Sequence, residues 1–215
     1  MTLFHQIALG LIVLWLAAAV VLRRSRLAAM AGLGVLGLYA VIALVTGMTA
    51  PAALGLAWPQ HWLHTVMFAI FWAGVMFAFL PTVEWAAETL TRQETAQPDT
   101  LAAAAARQNL VPAIASAWLF GAVLEELVFR GVAMGALIPL AGPWIAAAAA
   151  AVAAGVVHIH KGPRAALMIA QFSFLFGVLY IANGYDLWST ILAHGLCDTI
   201  MLARYASGRA KLSRF

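Results

Sequence analysis

Four ionisable side chains stand inside long apolar runs of this sequence. Glu125, Glu126 and Arg130 lie in the stretch GAVLEELVFRGV, and Asp198 lies in ILAHGLCDTI. At the centre of a membrane helix each ionised group costs about 2.5–3.5 kcal/mol, so four unpaired groups would cost on the order of 10 kcal/mol. They must therefore be paired, protonated or hydrated, and ionisable groups in such surroundings are candidates for function.

Helical spacing separates a structural pair from a free carboxylate. Glu126 and Arg130 are four residues apart, so they can pair along one face of a helix. Glu125 is rotated by about 100° from Glu126 and is not directed at Arg130 in the same way. We expect the pair to be structural and Glu125 to be the carboxylate available for chemistry.

Histidines in two other apolar segments supply possible partners. His158 and His160 are two residues apart, about 200° around a helix, so we expect only one of them to face the interior. His194 and Asp198 are four residues apart and share a face. Acidic and histidine side chains thus occur on three separate segments, which predicts a polar site between helices.

Glutamate and histidine side chains together suit two kinds of hydrolysis. A carboxylate can act as a general base that takes a proton from water. Histidines and an acid can instead hold a divalent metal ion, zinc above all, that activates bound water, and the candidate ligands are then Glu125, His158 and His194. The sequence contains no serine nucleophile elbow, HExxH motif or glycine-rich phosphate loop.

The composition indicates what surrounds these residues. The chain has 215 residues, of which 65% are hydrophobic and 9% charged, whereas soluble domains have about 25% charged residues. We therefore expect an all-α, polytopic transmembrane helical bundle. Seven segments are long and apolar enough to be spans, namely residues 3–22, 27–47, 63–81, 110–138, 144–160, 165–183 and 187–206.

The basic residues predict an orientation. With seven spans, every Lys and Arg except Arg130 falls on the side of the RRSR stretch at 23–26. Cytoplasmic loops carry the excess of Lys and Arg, so the N-terminus is expected outside and the C-terminus in the cytoplasm. The net charge of +4 then reflects membrane orientation and does not indicate a nucleic-acid partner.

Three regions follow from this reading. Residues 1–109 hold the first spans and a cytoplasmic segment, residues 110–206 a helical core that carries the candidate site, and residues 207–215 a basic cytoplasmic tail. In the segment 82–109, Glu84, Glu88 and Arg92 share a helical face. An interfacial helix followed by a loop at 97–99 and a solvated linker are both open interpretations.

Three motifs resemble those of the CPBP family of intramembrane proteases, which includes the type II CAAX prenyl endopeptidases and bacteriocin-immunity proteins. EELVFRG is similar to the family motif EExxxR, AGVVH at 154–158 stands where the family has FxxxH, and HGLCD at 194–198 is similar to HxxxN/D. The resemblance covers roughly residues 110–205. Ala154 replaces the usual phenylalanine, which is not a proton-transfer group, and Asp198 replaces the commoner asparagine.

The resemblance implies roles for the site residues. Glu125 would activate the hydrolytic water with the help of His158, and His194 and Asp198 would stabilise the oxyanion or hold the water. Glu126 and Arg130 would be supporting residues. The family is described both as metalloproteases and as glutamate-dependent proteases, so zinc at His158, His194 and Glu125 is an open expectation.

The resemblance also bears on substrate and location. Eukaryotic relatives act on prenylated CAAX proteins, and we expect here a membrane-associated or lipidated peptide or protein, in a bacterial inner membrane. Two other functions stay open at this point: a non-catalytic scaffold or bacteriocin-immunity protein of the same fold, and a transporter or proton relay. Inverted repeats would favour a transporter, and the sequence shows none.

Overall fold

The computed structural model describes residues 2–22, 25–92 and 107–207. This part of the chain is all-α and contains no β-strand. Arg23 and Arg24, the predicted loop at 97–99 and the tail from residue 208 lie outside the described residues.

The described residues form seven helices at the seven segments predicted as spans, and five of these helices are long and apolar enough to cross a membrane. The seven helices are α1 (Leu3–Val21), α2 (Arg26–Val45), α3 (Trp62–Thr91), α4 (Leu110–Ala141), α5 (Pro143–Val157), α6 (Pro163–Ala182) and α7 (Leu187–Ala206). Short 3₁₀ turns occur at Pro51–Leu54 and Ile159–Lys161.

The bundle belongs in a membrane. Helices α1, α2, α3, α4 and α6 are each long and apolar enough to cross a bilayer, and α5 is a shorter apolar helix. A helix of 20 residues is about 30 Å long, which matches the hydrocarbon core. Large apolar side chains are exposed on the outside, among them Leu14, Val45, Phe71 and Ile145. In water that surface would be unfavourable, but against lipid it needs no partner.

Helix α3 is longer than the predicted span of 63–81. It continues through Pro81 to Thr91, so the first ten residues of the predicted cytoplasmic segment extend this helix instead of starting a new one. Proline inside a helix is tolerated when neighbouring helices hold the segment in place. Here Oε2 of Glu88, in the extended part of α3, lies 3.8 Å from Nη2 of Arg164 in α6.

Helix α4 is the centre of the bundle. All residues from Val128 to Met134 are buried, and α1, α2, α5 and α7 pack around this helix. Its middle is π-helical over Ala117–Glu125 and Leu127–Met134, between α-helical ends. π-Helical turns occur often at functional sites. Glu125 is the last residue of the first π-helical segment, and Glu126 lies between the two segments.

Small residues bring α5 and α6 together as an antiparallel hairpin. A Cβ atom on Gly155 would lie 2.9 Å from the carbonyl oxygen of Ala166, and one on Gly177 would lie 2.9 Å from Cβ of Ala147. Membrane helices pack closely where such residues meet. The turn between the two helices ends at Gly162, whose φ of 96° favours glycine.

The start of α7 is fixed by Asp186. Its Oδ1 accepts a hydrogen bond from the backbone N–H of Trp188, and its Oδ2 accepts from Thr65 of α3 and from Asn183. The backbone N–H of Leu187 donates to the carbonyl of Gly55. These contacts anchor the N-terminal end of α7, the helix that carries HGLCD, while its basic residue Arg204 lies at the other end.

The close approach of α5 and α6 gives a first prediction. Gly155→Val should lower the midpoint of thermal unfolding in detergent by several degrees, because overpacking against a backbone carbonyl costs about 1–3 kcal/mol. Gly34→Val on α2 is the matched control, since a Cβ atom there meets nothing within 4 Å. Equal midpoints for the two variants would show that this contact does not hold the hairpin together.

Candidate active site

Glu126 and Arg130 form a buried ion pair on α4. Their relative exposures are 0% and 2%. Nη1 of Arg130 donates to Oε1 of Glu126 at 3.2 Å. Nε lies 3.2 Å from Oε2, an ion-pair contact without the alignment of a hydrogen bond. The pairing expected from the i, i+4 spacing is therefore present.

Arg130 also reaches a second helix. Its Nη2 donates to the backbone carbonyl of Ser173 on α6 and, at 2.9 Å, to the Ser173 hydroxyl. The guanidinium lies 5.5 Å from the ring centre of Phe176 on the same helix, within the range of a cation–π contact. Sequence reasoning missed Ser173 and Phe176. The one available signal was a serine within the apolar run QFSFLFG.

Glu126 reaches a third helix through His194. Nδ1 of His194 lies 2.8 Å from Oε1 of Glu126, and the imidazole stacks on Phe176 with 4.8 Å between ring centres. His194 was expected to face Asp198, and its Nε2 does lie 3.7 Å from Oδ2 of that residue. Its short contact, however, is with Glu126. The two nitrogens therefore have different neighbours, with Nε2 on the side of Asp198.

Glu125 faces His158, the residue that follows the end of α5. Oε1 of Glu125 lies 3.7 Å from Nε2 of His158, and the side chains are 24% and 14% exposed. Nδ1 of His158 lies 2.8 Å from the carbonyl oxygen of Ala154. A carbonyl oxygen only accepts, so Nδ1 carries the proton. In the neutral ring, Nε2 is then the unprotonated nitrogen, and it faces Glu125. Only the backbone of Ala154 makes this contact, so the missing phenylalanine ring does not affect it.

Both His158 and His160 line the interior cavity, which corrects the expectation that only one would face it. That expectation assumed a continuous helix, but α5 ends at Val157 and residues 159–161 form a 3₁₀ turn. The two rings are 5.9 Å apart. Burial lowers the pKa of His160, and its hydrogen bond to the carbonyl of Val157 offsets this only in part. His160 is therefore neutral at pH 7.

One cavity of about 1240 Å³ contains the site. Its polar wall includes Glu125, His158, His194 and Asp198. Most of the remaining lining is apolar and comes from α2, α3, α4, α6 and α7, for example Met30, Phe77, Phe120, Phe172 and Met201. The cavity also reaches the ends of helices that carry Arg26, Lys161 and Arg164. It could thus hold an apolar chain together with a polar segment near Glu125.

The expected zinc ligands do not form a ligand set in this arrangement. Within residues 2–22, 25–92 and 107–207, no three His, Cys, Asp or Glu side chains are grouped so that they could hold a metal ion. Nδ1 of His194 is directed at Glu126 and Nδ1 of His158 at a carbonyl. Among the described residues, Glu125 therefore has a histidine neighbour but no third side chain grouped with them that could bind the same metal ion.

Comparison with known proteins agrees with the three motifs. Residues 107–200 match the family model described as type II CAAX prenyl endopeptidase Rce1-like. This segment contains EELVFRG, AGVVH and HGLCD, and it spans α4, α5, α6 and most of α7. No curated protein and no solved structure matches the chain.

The buried pair gives a second prediction. Arg130→Met should destabilise the protein by about 3–5 kcal/mol, because it leaves the Glu126 carboxylate buried without its cation. The double variant Glu126→Gln/Arg130→Met should regain part of that loss. Thermal unfolding of the purified proteins measures both effects, and Arg204→Met, at an exposed position of α7, is the control. If Arg130→Met unfolded like this control, the pair would not hold the bundle together.

Proposed function

We propose that the chain is a member of the CPBP family and an intramembrane endopeptidase with Glu125 as its general base. The match of residues 107–200 to the type II CAAX prenyl endopeptidase model, together with the three motifs in this segment, supports the proposal. The observation that carries the proposal is the different environment of the two adjacent glutamates. The Glu126 side chain is fully buried and paired with Arg130 and His194, whereas the Glu125 side chain is 24% exposed and faces the cavity beside His158.

The proposed reaction is hydrolysis of a peptide bond by an activated water. The separation of 3.7 Å between Glu125 and His158 is longer than a direct hydrogen bond, and one water can contact both groups. Glu125 takes a proton from this water as its oxygen attacks the peptide carbonyl carbon. The same proton then passes to the leaving nitrogen as the C–N bond breaks, which gives a carboxylic acid and an amine and leaves Glu125 as a carboxylate again.

His194 and Asp198 border the proposed position of the oxyanion. Because Nδ1 donates its proton to the Glu126 carboxylate, Nε2 of His194 can donate to a negatively charged oxygen only when the ring is an imidazolium, a form that the neighbouring carboxylates of Glu126 and Asp198 favour. Donors placed in advance in a site without bulk water stabilise such an oxyanion strongly. Arg130 offsets the charge of Glu126, so that this second carboxylate does not oppose the developing negative charge.

The proposed substrate is a membrane-associated or lipidated peptide or protein. The largely apolar cavity fits a lipid chain or an apolar peptide, and the matched family is described as CAAX prenyl endopeptidases. We further propose an outside N-terminus and a cytoplasmic C-terminus in a bacterial inner membrane. The basic side chains at the cavity ends, Arg26, Lys161 and Arg164, would then lie at the cytoplasmic surface.

The third prediction concerns Glu125. Membrane-protein termini should be compared in cells that produce equal amounts of the wild-type chain, Glu125→Gln or Glu88→Gln. New termini should appear with the wild type and with Glu88→Gln, and should fall by at least about 100-fold with Glu125→Gln, because loss of a general base costs 10²–10⁴-fold in rate. Identical termini in all three strains would contradict the protease proposal and favour a scaffold or immunity protein.

The fourth prediction concerns zinc. We expect purified protein dialysed against a strong zinc chelator to retain its cleavage rate, because the described residues bring no third donor to Glu125 and His158. The rate and the bound zinc should be measured on the same samples. A loss of cleavage on dialysis that stoichiometric zinc restores would show that the ligands move together when the metal binds.

A further inference from the structure

Gly121 lies one helical turn before Glu125 and lines the same cavity. A Cβ atom at this position would lie 2.9 Å from Oδ2 of Asp198 and 4.0 Å from Nε2 of His194. Apart from Phe120, Ala122 and the nearby backbone of α4, these are the only described atoms within 4 Å of it. The bare backbone of α4 therefore faces the two polar side chains assigned to the oxyanion.

Other glycines of the bundle have a different surrounding. A Cβ atom on Gly195 would lie 2.5 Å from the indole ring of Trp118, and one on Gly177 would meet Ala147 of α5. Those glycines allow two helices to pack against each other. Gly121 also faces another helix, α7, but the atoms beside it are a carboxylate oxygen and an imidazole nitrogen at the cavity, and not a ring or methyl group packed between two helices.

We propose that Gly121 is a positioning residue: its missing side chain leaves the space in which the scissile carbonyl group lies beside His194 and Asp198. This inference rests on the proposed function. Glycine lets a second backbone approach a helix closely. The carbonyl carbon must come within about 3–3.5 Å of the attacking water, and any bulk that moves it away lowers the rate.

The variant Gly121→Ala separates this role from a structural one. Alanine favours a helix more than glycine does, and the clashing atom is the movable end of Asp198, so the protein should still fold. Gly34→Ala and Gly74→Ala are matched controls, because a Cβ atom at either site meets nothing within 4 Å. Thermal unfolding in detergent should show Gly121→Ala within the range of these controls.

The activity assay uses two quenched-fluorescent farnesylated CAAX peptides. They differ only in the residue after the modified cysteine, which is glycine in one and leucine in the other. For the leucine peptide, Gly121→Ala should lower kcat by about 100-fold with little change in KM, because the added methyl group occupies the carbonyl space and leaves the lipid-binding part of the cavity intact. The glycine peptide should lose at least about tenfold less.

Three results would overturn this inference. One is wild-type kcat in Gly121→Ala, and another is an equal loss for both peptides, which indicates displacement of Asp198 alone. The third is a loss of activity in parallel with a lower unfolding midpoint. In each case Glu125-dependent cleavage by the wild type leaves the proposed function standing. If the wild type cleaves neither peptide, both the inference and the CAAX-type function fail.

Discussion

The buried ion pair between Glu126 and Arg130 is the interaction on which the rest of the core depends. Two charges removed from water are stable only when they meet each other and their remaining hydrogen-bonding atoms find partners. Nη2 of Arg130 finds them on Ser173 of α6, and Oε1 of Glu126 finds one on His194 of α7, while Nε and Oε2 have only their ion-pair contact with each other. A local pair on α4 thereby fixes the positions of two other helices around it.

This arrangement gives two adjacent glutamates different surroundings, and we propose that they have different tasks. Once Glu126 is directed at Arg130 and His194, the geometry of the helix turns Glu125 toward α5 and the cavity. An apolar bundle surrounded by lipid can keep such a carboxylate away from bulk water, where a positioned base and its water are most effective. In this proposal, Glu126 and Arg130 neutralise each other in the core, and the adjacent Glu125 is thereby left as the catalytic base.

Local features of the chain were predictable from sequence, and contacts between distant segments were not. Hydropathy predicted the seven helices, and the i, i+4 spacing predicted the pair of Glu126 with Arg130. Ser173 was missed because its role depends on how α6 packs against α4. The end of α5 at Val157 places both His158 and His160 in the cavity, and a helical wheel assumes no such end. Helix α3 passes Pro81 because tertiary contacts support it, and a proline alone favours a break.

The central claim is that Glu126 holds the structure while Glu125 performs the chemistry. The most direct measurement determines both the unfolding midpoint and the cleavage rate for purified Glu125→Gln and Glu126→Gln. The account predicts that Glu125→Gln loses cleavage at an unchanged or higher midpoint, whereas Glu126→Gln lowers the midpoint because Arg130 and His194 lose their anionic partner. A midpoint that falls equally in both variants, or full cleavage by Glu125→Gln, would contradict it.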